Sequence, residues 1–169
     1  MHIGFTGSRH GMSYKQKRKV LQILQDWQAL IPERDEITVS HGDCIGADAN
    51  IHEFAKILGL RIVIHPPEDD SKRAYCSALD NDPDVEILPP KAYLARNRDI
   101  VETSSLMIGC VDSYEPHEHS GTWYTVDYAN KKEVPVMIVF PDGTDEAVLG
   151  SSWLASFVAN ARAKENNEL

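Results

Sequence analysis

The sequence has no long uninterrupted apolar stretch, and none approaches the ~20 residues that a helix needs to cross a bilayer. Residues 2–6 are typical of a short strand and not of a charged-then-apolar signal peptide. Cysteine is scarce: Cys44, Cys76 and Cys110 lie far apart, and none belongs to a C-x-x-C pair. We therefore expect a cytoplasmic protein with reduced, buried thiols.

Positive charge is also in short supply, because 17 Lys+Arg against 26 Asp+Glu give a formal net charge of −9. Such a chain repels a phosphate backbone over the Debye length unless its cations cluster on one face. The balance argues against nucleic acid as a partner, and the lack of an apolar span argues against a membrane. A small anionic ligand held by a few local groups remains compatible with this charge.

What is present is a balanced composition, with 42% hydrophobic and 25% charged residues in 169. A chain of this length buries roughly two thirds of its unfolded surface in one core. Disordered, collagen-like and coiled-coil classes are excluded by this composition. No internal repeat or linker interrupts the chain, so we expect a single domain over residues 1–169.

Short apolar runs alternate with helical patterns along the chain, which predicts β-α units. Strands are predicted at residues 2–6, 37–41, 60–65, 85–88, 106–111 and 134–140. Helices are predicted at residues 14–30, 48–58, 72–78, 92–104, from about 121, and at 145–163. The fold class is therefore α/β and Rossmann-like, with a mainly parallel sheet and helices on both faces.

Ligands in such sheets bind beyond the carboxyl ends of the strands, so the loops there are the candidate sites. The first such loop contains Gly7, Ser8 and Arg9. The glycine permits close backbone approach, the hydroxyl can donate to oxygen, and the guanidinium suits a phosphate. The same residues also fit an ordinary turn with a solvated arginine.

A second loop carries Gly42, Asp43, Gly46, Ala47 and Asp48 between a strand and a helix. The free N–H groups of the helix start favour an anion, and the two glycines would let a phosphate reach them. Asp48 could bind a ribose hydroxyl or could simply offset the helix dipole. The sequence leaves both roles open.

The third loop contains Ser120, Gly121 and Thr122, again before a helix and again with N–H groups and a hydroxyl to offer. Arg96 and Arg98 lie on the preceding predicted helix, where they either point at the same strand ends or form surface salt bridges.

Residues 117–119 read His-Glu-His, but a His-x-His loop without further spaced ligands is more typical of a polar surface loop than of a metal site. We therefore expect no metal and no cofactor. Tyr124 and Tyr128 have helical spacing, which favours packing over stacking on a base.

The order of these segments, T-G-S-R, H-G-D-C-I-G-A-D, R-N-R-D and S-G-T, resembles the SLOG superfamily. That superfamily groups the Smf/DprA proteins with the Lonely Guy (LOG) phosphoribohydrolases and small Rossmann-like nucleotide-binding proteins. The resemblance covers about residues 2–140 and implies a site for a nucleotide or nucleotide-derived ligand, with homo-oligomers as an expectation.

By this resemblance, the second loop is the phosphate-cradling loop, and Gly121 with Thr122 holds the ligand's phosphate. Arg98 or Arg96 resembles the arginine beside the sugar. LOG enzymes carry a catalytic glutamate three residues after the threonine, where this chain has Thr125. Asp127 lies about 200° around the helix from that position and is a poor substitute.

The missing glutamate leaves two main hypotheses, and the sequence alone does not decide whether the protein is an enzyme. The first is a module that binds a nucleotide as a sensor or by sequestration. The alternative is a LOG-like N-glycosidic hydrolase or transferase that acts on a nucleoside monophosphate, for which Asp43, Asp48, Glu115 and Glu118 are other carboxylates to consider. A third hypothesis is a single-stranded DNA binder. It would need a basic groove, which the net charge of −9 disfavours.

Overall fold

A computed structural model describes residues 1–31, 37–76 and 81–148. The strands are β1 (His2–Gly7), β2 (Thr38–His41), β3 (Arg61–Ile64), β4 (Val85–Ile87), β5 (Leu106–Cys110), β6 (Val136–Val139) and β7 (Asp145–Val148). The α-helices are α1 (Tyr14–Leu30), α2 (Ala47–Leu58), α3 (Tyr93–Thr103) and α4 (Gly121–Lys131), and a 3-10 turn covers Asp70–Lys72.

One sheet contains all seven of these strands, in the order β4-β3-β2-β1-β5-β6-β7. Every pairing is parallel except that of β7, which runs antiparallel to β6. The chain moves outward from β1 to β4 on one side and returns to β5 on the other. The strand order therefore reverses between β1 and β5, which is where a crevice opens in sheets of this kind.

Apolar side chains cover both faces of the sheet, as the predicted Rossmann-like arrangement requires. On one face α1 and α2 contribute residues such as Leu24 and Ile51 to a buried cluster with Ile3 and Phe5 of β1. On the other face α3 and α4 contribute Ile100, Val101, Val126 and Ala129 to a second cluster. The α/β class, the mainly parallel sheet and the helices on both faces are confirmed.

Gln16 ties the start of α1 to the carboxyl ends of β5 and β6. The Ser13 side chain accepts from the Gln16 backbone N–H at 3.0 Å, and the Gln16 side chain accepts from the Ser13 N–H in return. The Gln16 amide also donates to the carbonyls of Val111 at 2.7 Å and Val139 at 2.9 Å. These bonds fix the helix start beside the crevice.

Two sequence-based helix predictions are wrong where the structure describes them. Residues 145–148 form β7 and not the start of a helix, because the β6 edge offers a backbone ladder to a segment whose side chains are mostly exposed. The helix predicted at 72–78 is replaced by the 3-10 turn and an isolated bridge between Cys44 and Arg73. Residues 77–80 and 149–163 of these predictions lie outside the described residues.

None of the helices in the described part of the chain is both long and apolar enough to cross a bilayer.

Candidate functional site

A cleft of about 670 Å³ opens beyond the carboxyl ends of β1 and β5. This volume is typical of sites that bind small molecules. The predicted site residues in its wall are Gly7, Ser8, Arg9, Asp48, Arg96, Ser120, Gly121 and Thr122. The fold thus brings residues from all three predicted loops and from α3 to one place.

Arg96 is the buried cation of this cleft, with a side chain only 4% exposed. Its Nη2 donates to the Cys44 Sγ at 3.0 Å, and the guanidinium lies 4.8 Å from the centre of the Tyr93 ring. Its Nε has no hydrogen-bond partner among the described residues. A thiol is a weak acceptor, so most of the hydrogen-bonding capacity of this guanidinium is unused.

Asp48 is the buried carboxylate of the same wall. Its Oδ2 accepts from the backbone N–H groups of Gly42 at 3.1 Å and Cys44 at 3.0 Å, which closes the loop between β2 and α2. Burial raises the pKa of Asp48 to about 6, although the Arg96 charge and the two backbone bonds act in the opposite direction. This carboxyl therefore titrates close to neutral pH.

Close packing explains both glycines of the second loop. A Cβ on Gly42 would lie 1.5 Å from the Arg96 Nη1, so the guanidinium rests directly on this backbone. Gly46 has a φ of +95°, and a Cβ there would lie 2.3 Å from the Arg9 carbonyl oxygen. Neither glycine lines the cleft, and their neighbours are protein atoms, contrary to the expectation that they let a phosphate approach.

Asp43 and Ala47 also lie behind the cleft wall and do not line it. The carboxylate of Asp43 pairs with the Arg73 Nε at 2.6 Å and accepts from the Cys76 N–H at 2.9 Å. The N–H of Ala47 donates to the Ser8 carbonyl at 3.0 Å. Both residues hold loops together, so the structure gives them a supporting position and not a ligand-facing one.

Arg98 lies outside the cleft, on the exposed side of α3. Its Nε donates to the Tyr124 hydroxyl at 2.8 Å, and its guanidinium lies 5.5 Å from the centre of the Tyr128 ring. Tyr124 and Tyr128 stack on one another, as their helical spacing predicted. Of the two arginines that the sequence left open, Arg96 is the one in the cleft.

The start of α4 forms the opposite wall. Ser120 caps the helix by accepting from the Trp123 N–H at 3.2 Å, and Gly121 and Thr122 face the cleft. Thr125, at the position of the LOG glutamate, is 1% exposed. It donates to the Gly121 carbonyl at 2.7 Å and accepts from the Asn97 amide at 2.9 Å. This threonine therefore joins α3 to α4.

The loop after β5 adds a histidine that the site prediction missed. His117 contacts the Asp112 carboxylate with Nε2 at 3.1 Å and the Glu118 carbonyl with Nδ1 at 3.2 Å, and these side chains line the cleft. Both partners raise the pKa of His117. Because both ring nitrogens face acceptors, the doubly protonated imidazolium is favoured and no lone pair is free to act as a base.

Tyr93, Cys44 and Asn97 are further lining residues that the site prediction missed. Tyr93 precedes Arg96 by three residues, so helical spacing was a usable signal for it. Nothing in the sequence marks Cys44 or Asn97 as ligand-facing, because their positions depend on the loop and helix packing described above.

The buried His41 and His52 form a cluster with the partly exposed Cys76, and the potential ligand atoms of the three residues lie within 4.8 Å of one another. The His41 Nδ1 accepts from the Asp43 N–H at 3.1 Å, so its proton sits on Nε2, which faces the His52 Nδ1 at 3.0 Å. Burial and the neighbouring His52 lower the pKa of His41 to about 3. With these bonds intact, the His41 Nε2 is a donor and not a metal ligand.

No protein-family model matches the sequence, and the comparison with curated proteins also found no match. Solved structures do share the fold. The structural genomics target TM1055 has a TM-score of 0.54 at 14% identity, over 80% of this chain and 71% of its own. DNA processing protein A (DprA) from Streptococcus pneumoniae has a TM-score of 0.57 at 18% identity, over 81% of this chain and 49% of its own.

DNA processing protein A from Helicobacter pylori has a TM-score of 0.56 at 17% identity, over 82% of this chain and 64% of its own. This chain thus spans about half to two thirds of the DprA chains. The DprA neighbours agree with the resemblance to the SLOG superfamily at the level of the fold.

The comparison corrects one expectation about partners. The net charge of −9 argued against nucleic acid, yet the structure from H. pylori is described as showing a single-stranded DNA binding mode. A protein with this fold therefore does bind nucleic acid, and overall charge is not a sound basis for excluding such a partner here.

Proposed function

We propose that the cleft binds a nucleotide or nucleotide-derived ligand and holds its phosphate at Arg96. The observation that carries this proposal is a guanidinium that is 4% exposed, lines the cleft, and has an unpartnered Nε. A buried cation is costly unless it is paired and hydrogen-bonded. An anion with several oxygens would supply the missing acceptors.

The surroundings of Arg96 favour an anion as well. Asp48 lies in the same wall, and with a pKa of about 6 it is mostly ionised at pH 7. Its Oδ2 accepts from the backbone N–H groups of Gly42 and Cys44, and the Arg96 Nε remains without an acceptor among the described residues. Arg9 adds a second guanidinium to the wall, which also carries the His117–Asp112 pair, and the start of α4 adds backbone N–H groups at the positive end of a helix dipole.

The remaining wall suits the rest of a nucleotide. Tyr93 and Leu94 are about half exposed and border the cleft, so they offer a flat apolar surface to a base. Asp48 and Glu118 supply carboxylate oxygens for sugar hydroxyls or an exocyclic amine. A polar end and an apolar end in one cleft match a molecule with phosphate, sugar and base.

A sensor or sequestering role fits this wall better than turnover, because Thr125 stands where LOG enzymes carry a glutamate and is already fully bonded. One observation supports the alternative, an enzyme that cleaves an N-glycosidic bond. Asp48 is buried in the cleft wall with a pKa of about 6, which suits a general acid or base. Asp43 is ion-paired behind the wall, and Asp127 pairs with Lys131 on the surface.

A nucleotide unit of a single strand is a second candidate ligand, because DNA processing protein A from H. pylori, which has this fold, binds single-stranded DNA. In this case one phosphodiester would occupy the position beside Arg96 that a free nucleotide's phosphate takes in the first proposal.

The test begins with natively purified protein, which is denatured so that mass spectrometry can identify released small molecules. The stripped, refolded protein is then incubated with nucleoside monophosphates, ADP-ribose and a short oligonucleotide. Binding with the ligand intact supports the module, while free base and ribose phosphate that accumulate support the enzyme. Absence of binding to all of these probes would refute the proposal.

A further inference from the structure

Tyr93, the first residue of α3, packs against the start of α4. A Cβ on Gly121 would lie 2.5 Å from the Tyr93 hydroxyl oxygen and 3.1 and 3.2 Å from the ring carbons Cε1 and Cζ. The phenol therefore occupies the space that a side chain at position 121 would need. A glycine at this position is what allows the close approach of the ring.

The Tyr93 hydroxyl is free to donate to a ligand. It forms no hydrogen bond with any residue in the part of the chain that the structure describes. Tyr93 is 46% exposed, and its partial burial raises the pKa of the hydroxyl above the ordinary value. The group is therefore protonated at neutral pH and can donate to an anion.

Backbone donors lie beside this hydroxyl. The N–H groups of Gly121 and Thr122 donate to no described residue, because the Ser120 hydroxyl and carbonyl accept from the third and fourth residues of α4 instead. The first N–H groups of a helix are unpaired in this way and lie at the positive end of its dipole. The phenol thus adds a side-chain donor to a position that already favours negative charge.

The aromatic ring connects this position to Arg96. The Arg96 guanidinium lies 4.8 Å from the centre of the Tyr93 ring, three residues further along α3, and both side chains line the cleft. The Arg96 Nε has no partner among the described residues, and the same is true of the Tyr93 hydroxyl. A phosphate between α3 and the start of α4 can therefore contact the guanidinium, the phenol and the backbone N–H groups together.

We propose that the Tyr93 hydroxyl donates a hydrogen bond to the phosphate of the cleft ligand, and that Gly121 keeps the phenol in place for this contact. The inference rests on the proposed function, which positions the phosphate at Arg96. It gives Tyr93 a polar role in addition to the surface that its ring offers to a base. Removal of the hydroxyl alone then weakens the hold on the phosphate and leaves the stacking surface intact.

Tyr93→Phe tests this contact, because it removes the hydroxyl and retains the ring. Calorimetric titration measures the affinity for whichever of the nucleoside monophosphates and ADP-ribose binds the unmodified protein most tightly, and inorganic phosphate is then added as a competitor. We expect Tyr93→Phe to weaken the binding of the nucleotide and of inorganic phosphate about tenfold each, as for a lost hydrogen bond to a charged group.

Tyr128→Phe is the matched control. It removes a phenol hydroxyl of α4 that lies outside the cleft and donates to Glu102. Its nucleotide affinity should stay within about twofold of that of the unmodified protein, as is usual for a surface substitution. Thermal melts establish that each variant is folded.

Gly121→Ala tests the same contact from α4. The added Cβ displaces the phenol, so we expect a loss of affinity similar to that of Tyr93→Phe. Because both substitutions act on one contact, the double variant should lose less than the product of the two single losses. Independent, multiplying losses would contradict the coupling between Gly121 and the hydroxyl.

The outcomes separate this inference from the proposed function. If Arg96→Met loses nucleotide affinity while Tyr93→Phe does not, or if Tyr93→Phe and Tyr128→Phe lose equally, the inference is overturned and the proposed function stands. A loss in Tyr93→Phe for the nucleotide but not for inorganic phosphate would assign the hydroxyl to the sugar or base and would also overturn it. Failure of the unmodified protein to bind any of these nucleotides would refute both.

Discussion

Arg96 and Asp48 are oppositely charged side chains buried in the wall of one cleft, and their unequal hydrogen bonding is the basis of the proposed function. The carboxylate accepts two backbone N–H bonds, whereas the guanidinium has a thiol as its partner and an unbonded Nε. Residue-level predictions therefore concern protonation and the buried polar atoms around this pair.

Asp48→Asn tests the raised pKa of the carboxyl. Its folded-state pKa of about 6 exceeds the ordinary value of 3.8, so the folded protein retains a proton that the unfolded chain releases. This contribution to stability is lost as the pH rises through about 6. We expect the free energy of unfolding of the unmodified protein to fall relative to the variant by about 1–3 kcal/mol between pH 4 and 8 in urea titrations. A constant difference across that range would contradict the assignment.

His65 gives a pH dependence of the opposite sign. The side chain is 4% exposed with an unpartnered Nε2, and burial lowers its pKa from 6.5 to about 4. The folded protein keeps it neutral while the unfolded chain takes up a proton below 6.5, so stability is lost as the pH falls. His65→Gln should flatten the fall between pH 6.5 and 4.5 by roughly 1.4 kcal/mol per pH unit, measured by urea unfolding. An unchanged slope would show that His65 is not buried in the neutral form.

The arginines of α3 show how far the sequence predicted the site. Arg96 and Arg98 differ by about 200° on a helix, so both cannot face the cleft. Buried Ile100 lies four residues after Arg96, on the same side of α3, and that periodicity was available in the sequence. The roles of Gly42 and Gly46 were not predictable, because they depend on contacts with Arg96 and the Arg9 backbone.

At the scale of elements, the buried strands and long helices were predicted closely. β1, β2, β3 and β5 differ from the predicted strands by one or two residues at their ends, since continuous Ile and Val runs specify strands buried on both faces. The short elements at the edge of the sheet were harder to predict from the sequence. The β7 segment begins with acidic residues that resemble a helix start, and pairing with β6 determines its conformation instead.

Gln16 gives a prediction for the junction of α1 with β5 and β6. Its amide donates to the carbonyls of Val111 and Val139, its side-chain oxygen accepts from the Ser13 N–H, and the residue is 4% exposed. Gln16→Leu would remove all three bonds, and the Val139 carbonyl would keep only its bond from the Val111 N–H. We expect a loss of roughly 2–4 kcal/mol in the free energy of unfolding, measured by urea denaturation. Gln22→Leu, on the exposed face of the same helix, is the matched control with a loss below about 1 kcal/mol. Equal losses would refute the role of this junction.

At the scale of the whole molecule, net charge was the least informative property. A value of −9 is a sum over the whole chain and does not show that Arg9 and Arg96 lie in the wall of one cleft. Association with polyanions depends on the local field at a surface, which the sum over the chain does not describe. The fold-level likeness to DprA structures corrected this expectation.

Calorimetric titration of nucleoside monophosphates and ADP-ribose into the unmodified protein and into Arg96→Met and Arg98→Met tests the central claim most directly. Both substitutions remove one charge from α3, but Arg96 lines the cleft and Arg98 lies outside it. Thermal melts establish that each variant is folded. The account predicts that Arg96→Met weakens binding by about 100-fold or more, as expected for a lost buried charge-assisted contact, and that Arg98→Met stays within about threefold. Equal affinities for the two variants would contradict a phosphate at Arg96.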